Sequence, residues 1–142
     1  MKTFSVLITH YNNFEYFKDC YKSLLLQTYK DFEVVLVDDC SNNDSFEKIK
    51  ELTREDSRFH IYRNDKNQGV GFTKRRCVDL AKGEICGFVD PDDALSKNAI
   101  ENSVKNHTEK NVVTYSKFLL CDANLNYLKL FPQSRAIKNG DQ

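Results

Sequence analysis

Three aspartates fall within four residues at Asp90-Pro91-Asp92-Asp93, and a second acidic pair, Asp38-Asp39, closes the apolar run 32–37. Carboxylates this close repel one another and raise one another's pKa unless a cation lies between them. Oxygen-only donors on a short turn suit Mg²⁺ or Mn²⁺, which bind through one or two carboxylates and leave other positions to substrate phosphates. A helix-loop-helix calcium site is excluded, since neither its glycine nor its later glutamate stands at the required spacing. One aspartate at such a place could serve as a helix cap or turn residue. It is the clustering that points to chemistry.

Between the acidic clusters lies Gly69-Val70-Gly71-Phe72-Thr73-Lys74, followed by Arg75 and Arg76. It lacks the third glycine of a dinucleotide fingerprint and follows a third strand, not a first. A glycine-bearing loop that enters a helix, with cations in its first turns, can still offer N–H groups and positive charge to phosphates. The competing reading is a solvated basic helix face. Five cysteines (Cys20, Cys40, Cys77, Cys86, Cys121) include no Cys-x-x-Cys pair and read as reduced, mostly packed thiols. The three histidines read as structural or exposed, with only His10 near the other polar clusters.

These groups need a scaffold, and hydrophobic periodicity supplies one. A strand is predicted over 4–9, then a helix whose stripe is Phe14, Phe17, Tyr21, Leu24 and Leu25. Residues 32–37 form a nearly continuous apolar strand, as expected where both faces are covered. Asp44 and Glu47 are spaced as a capping box for a helix over 46–52. A strand over 59–62, a polar loop over 63–71 and a helix over 72–82 follow, with Gly83 as its C-terminal cap. A strand over 84–89 precedes a helix that Ser96 caps and that runs to about residue 107. Strands over 112–121 and 127–131, joined by 122–126, form a hairpin. This alternation implies an α/β fold: three layers, α/β/α, around a mostly parallel sheet and ending in the hairpin. Thr9-His10-Tyr11-Asn12, Asp38-Asp39, Asn67-Gln68-Gly69 and the Asp90 turn each follow a strand. All four therefore meet at the carboxyl rim, where open α/β sheets bind ligands.

The 142 residues, 40% of them apolar with ten Phe and seven Tyr, suit one globular domain, expected over 1–134, with a polar tail over 135–142. Twenty-one basic against twenty-one acidic side chains exclude a chain-wide electrostatic grip on nucleic acid or anionic lipid. No apolar run reaches the ~20 residues of a transmembrane helix, and the first residues lack a signal-peptide pattern. A cytoplasmic chain is expected.

Taken in order, SVLITHYN, DFEVVLVDDCSNNDS and NQGVGFTKRRCVDLAKGEICGFVDPDDAL resemble family 2 glycosyltransferases of the GT-A fold, over roughly residues 4–100. The resemblance implies transfer of a sugar from a nucleotide-diphosphate donor, a UDP-sugar first among them, to an acceptor hydroxyl with inversion, assisted by Mg²⁺ or Mn²⁺. It implies that Thr9 and Tyr11 line the base pocket, Tyr11 by stacking, and that Asp39 accepts a hydrogen bond from the base. Asp92 would bind the ribose or help order the metal, and Asp93 would ligate it and bridge to the diphosphate. Asp38, Asp90, Asn67 and Gly69 would support these motifs. Lys74 stands where the family carries an arginine, and His10 where a small Ser or Thr is more usual. The acceptor would be a glycan, lipid or protein, and the full-length protein would sit in the cytoplasm or at the inner face of the membrane.

Such enzymes use a carboxylate base well downstream of the Asp90 turn. Asp122 reads as a hairpin turn residue and Asp141 lies in the tail, so neither is assigned the role and the chain is expected to hold only the donor half. The alternative is a non-catalytic nucleotide or nucleotide-sugar binding module. A phosphoryl-receiver domain fits less well, because its acidic pair should follow the first strand.

Overall fold

The computed structural model describes residues 2–107, 113 and 119–130. Two compact units are distinguished, 1–110 and 111–142. The first contains β1 (Phe4–His10), α1 (Phe14–Leu25), β2 (Phe32–Asp38), α2 (Ser45–Thr53), β3 (Phe59–Arg63), α3 (Val70–Leu80), β4 (Ile85–Phe88) and α4 (Ala99–Asn106). Its four strands pair in parallel in the order β3-β2-β1-β4.

Every residue of β2, and all of β1 but Thr9, is buried, so an unbroken apolar run is the pattern that this environment selects. Alternate residues point to opposite faces. Val6, Ile8, Val34 and Leu36 pack with Phe17, Leu24, Ile49 and Ile100 from α1, α2 and α4. On the other face, Leu7, Val35 and Val37 pack with Cys77 of α3. The sheet is thus covered on both sides, giving three layers. The chain winds outward from β1 through β2 to β3, then returns to place β4 on the other side of β1. That reversal puts the switch point of the sheet at the carboxyl ends of β1 and β4.

Three local expectations are corrected. Asp44 precedes α2 without capping it, because its exposed carboxylate instead pairs with Lys48 at 2.9 Å. α3 starts two residues earlier than predicted and ends at Leu80 with Ala81 as its cap, so Gly83 does not close it. Gly83 is needed for close approach: a Cβ there would lie 2.6 Å from the backbone nitrogen of Ser5. α4 begins after Asn98, while the Ser96 hydroxyl turns to the Asn98 side chain at 3.3 Å.

In the second unit, β5 (Leu119–Cys121) and β6 (Tyr127–Leu130) form an antiparallel hairpin. Asp122 holds its turn by accepting the backbone N–H groups of Asn124 and Asn126 at 2.9 Å. Residues 112 and 114–118 of the predicted strand, and the predicted tail, lie outside the described residues.

Candidate functional site

A cleft of about 250 Å³ opens where β1 and β2 end and α3 begins. Thr9, Tyr11, Asp39, Asn67 and Gly69 line it, and His10, Val70 and Thr73 complete the wall. This volume is below the ~300–1,000 Å³ of sites that enclose a drug-sized ligand. It suits a planar ring, with the rest of a larger ligand lying along the rim.

Asp39 is buried, and its surroundings are hydrogen-bond donors. Oδ1 accepts the Asn64 side-chain amide at 2.6 Å and the Gln68 N–H at 2.8 Å; Oδ2 accepts the Gly69 N–H at 2.8 Å. Burial alone would raise the pKa of Asp39, but these bonds outweigh it and hold the carboxyl below its usual range. A carboxylate oxygen can accept more than one bond, so Oδ2 keeps capacity toward a ligand in the cleft. Gly69 takes φ +84°, a left-handed conformation that aims its N–H at Asp39 and opens α3.

Asp38 is fully buried and is not among the residues that line the cleft. It receives His10 Nδ1 at 2.9 Å and the Ser41 N–H at 2.9 Å, with Arg63 Nε 3.5 Å from Oδ2. Burial opposes its ionisation, yet bonds from His10 and Ser41 keep its pKa lowered. Asp38 therefore supports the rim and is not available to a ligand.

The Asp90 cluster has the opposite setting. Asp90, Asp92 and Asp93 are exposed, on a turn closed by the Asp93 N–H and the Asp90 carbonyl at 3.0 Å. Partial burial, then Asp92 and Asp90 beside it, pushes the Asp93 carboxyl above its usual value. Lys74 Nζ comes to 3.9 Å from Asp90 and 5.4 Å from the Phe88 ring centre, so it stands at this end of the rim and not in the cleft. Arg75 instead pairs with Asp79, and Arg76 with the Arg63 carbonyl and Asn64. Among the described residues no three His, Cys, Asp or Glu side chains converge as a complete metal cage. One or two of these surface carboxylates fit Mg²⁺ or Mn²⁺ in the mode that leaves coordination positions to phosphates.

Several supporting groups are hard to see in the sequence. Asn64, buried just after β3, links Asp39 to Thr73 at 3.0 Å and to Arg76 at 2.6 Å. Buried Gln27 donates to the Ser96 carbonyl at 2.8 Å and accepts the Ile100 N–H at 3.1 Å, while Ser23 Oγ accepts the Leu95 N–H at 3.1 Å. Those bonds tie the chain leaving the Asp90 turn to the end of α1. The only sequence signal was a polar residue directly following the apolar stripe. Burial pushes the Cys20 thiol up to about 12 and the Cys77 thiol up to about 11, so both are packing residues.

Similarity to known proteins agrees with this geometry. The chain is 33% identical over 106 residues to the glycosyltransferase GlyG of Streptococcus pneumoniae, covering 75% of this chain and 35% of that protein. It is 30% identical over 121 residues to the Escherichia coli enzyme WfaP, a UDP-Glc:alpha-D-GlcNAc-diphosphoundecaprenol beta-1,3-glucosyltransferase, covering 84% of this chain and 47% of WfaP. The chain thus spans about a third to a half of these two relatives. Among solved structures, residues 1–349 of S. aureus TarS in complex with UDP-GlcNAc superpose with a TM-score of 0.68 at 32% identity, over 74% of this chain and 30% of that one. A mannosyltransferase of Pyrobaculum calidifontis shares the fold, with a TM-score of 0.71 at 19% identity over 77% of this chain and 33% of that one. The model of the family described as "Glycosyl transferase family 2" matches residues 5–135, and the chain belongs to that family.

Proposed function

We propose that this chain forms the nucleotide-sugar-binding portion of an inverting, metal-assisted glycosyltransferase that uses a UDP-sugar. The observation that carries the reading is the cleft lined by Thr9, Tyr11 and Asp39, on the same sheet rim as the Asp90 turn. Tyr11 stacks on the base and Asp39 Oδ2 accepts its N–H. A uracil, which carries an N–H between two carbonyls, meets that acceptor. The solved complex of a relative with UDP-GlcNAc supports the choice of uridine.

Asp93 and Asp92 would hold the divalent cation, Mg²⁺ or Mn²⁺, and Asp90 keeps Lys74 beside them. When bound there, the cation would neutralise negative charge that develops on the departing diphosphate. Lys74 adds a second positive charge on the same side. The acceptor's base is assigned to no described residue, and Asp122 is committed to its turn. Five free thiols agree with a reducing, cytoplasmic setting. No helix among the described residues is long and apolar enough to cross a membrane.

Calorimetry with UDP and Mn²⁺ tests the reading. Binding is expected in the micromolar to millimolar range, weakened at least about tenfold in Asp93→Ala, the loss expected for one charged contact. Absence of binding, or binding indifferent to Asp93→Ala, would sink it.

A further inference from the structure

One buried group beside the cleft is unused by this chemistry. His10 is 1% exposed, and both ring nitrogens are engaged. Nε2 lies 3.1 Å from the Asn13 backbone nitrogen, and Nδ1 lies 2.9 Å from Asp38 Oδ1. A backbone N–H can only donate, so Nε2 is the acceptor and the ring proton sits on Nδ1, donated to Asp38. The neutral imidazole therefore works in two directions at once.

The same bonds continue around the turn between β1 and α1. Ser41 donates both its N–H and its hydroxyl to Asp38, and its Oγ accepts the Asn12 N–H at 2.8 Å. The Asn12 amide donates to the Asn42 side chain at 2.9 Å and accepts the Asn42 N–H at 3.1 Å. Asn12 itself is at φ +53°, a left-handed conformation that asparagine tolerates better than most residues with a side chain. Tyr11 sits inside this ring of bonds, 44% exposed at the cleft, and no side-chain hydrogen bond among the described residues holds its own ring. Its orientation is thus set by the backbone on either side.

We propose that His10 is the positioning residue for Tyr11: bridging the Asn13 N–H and Asp38, it fixes the turn that presents the Tyr11 ring to a nucleotide base. The inference rests on the reading of the cleft as a base site. His10 belongs to the cleft wall, but with both ring nitrogens engaged it has none free for a ligand and acts through Tyr11.

The test uses the full 142-residue chain with UDP and Mn²⁺ as probe. Wild-type protein labelled with ¹⁵N-histidine should show His10 as the neutral, Nδ1-protonated tautomer; an Nε2-protonated ring overturns the proposal without any variant needing to fold. His10→Phe keeps a ring against Phe17 but removes both bonds, and UDP affinity should fall about tenfold. His10→Gln can place an oxygen where Nε2 lies and should recover affinity to within about threefold of wild type, since one of the two bonds is kept. Tyr11→Ala should weaken binding roughly 5- to 150-fold, the range for losing a base–aromatic stack. Adding His10→Phe to Tyr11→Ala should cost nothing further. Unchanged affinity in His10→Phe, or a further loss in the double variant, overturns the positioning role while leaving the cleft reading intact. A wild-type chain that binds no nucleotide overturns both.

Discussion

Asp38 ends β2 and Asp39 follows it, both inside the protein, whereas Asp90, Asp92 and Asp93 follow β4 on its surface. The chemical group is the same and the rim is the same, but the surroundings differ. The inner pair receives hydrogen bonds from His10, Ser41, Asn64, Gln68 and Gly69, and its ionised state is favoured despite burial. At Asp93 partial burial, and then the carboxylates of Asp92 and Asp90, disfavour the ionised state. With its donors spent on folding Asp38 is a support, whereas Asp39 keeps capacity on Oδ2 toward the cleft. Carboxylates left beside one another on the surface keep their oxygens toward solvent, which is why the proposed cation is assigned to them.

The comparison breaks most decisively at Asp38. Asp38→Ala would strand buried donors of His10 and Ser41, and urea denaturation should register a loss of about 3 kcal/mol or more. Gln27→Ala, which leaves the Ile100 N–H and the Ser96 carbonyl without their partner, should cost about 2 kcal/mol and also weaken Mn²⁺-dependent UDP binding. By contrast, Asp93→Ala should leave stability within about 0.5 kcal/mol of wild type, as a surface change that also removes like-charge repulsion. Its effect should fall on cation-dependent binding.

Acid sharpens the contrast. Asp38 and Asp39 have folded pKa values below the unfolded value of about 3.9. The stability they lend is fully present above that value and is lost as pH falls through their lower folded values. Denaturant midpoints measured between pH 7 and 2 should therefore stay level to about pH 4 and then drop, a drop that Asp39→Asn reduces. The smallest effect is expected at Cys40, which joins Asp39 to Ser41 at φ +61°. Cys40→Gly relieves a left-handed strain and, after the entropy glycine loses on folding, should raise stability by about 0.5 kcal/mol in thermal melts.

Much of the scaffold was readable because it depends on local periodicity. The continuous run over 32–37 could only be a strand covered twice, and the stripe from Phe14 to Leu25 could only be an amphipathic helix. Capping was read less well. Asp44 had the right type and spacing, but an exposed carboxylate is free to choose Lys48, four residues on, over the helix end. Gly83 looked like a cap because glycine often is one. Its real reason, contact with Ser5 of β1, is invisible to any local window.

At the site, residue types and strand ends were legible, and Thr9, Tyr11, Asp39, Asn67 and Gly69, which end or follow three different strands, do line one cleft. What each carboxylate does was not legible. Asp39 draws its donors from positions 25 to 30 residues away, and His10 meets Asp38 across 28. The sequence by itself determined the alternation of strands and helices and the polar clusters that end the strands, because both follow from side-chain size, charge and spacing along one chain. Only the tertiary structure decided which acids are consumed as supports and which stay free, because a buried carboxylate's state is set by donors brought from elsewhere in the fold.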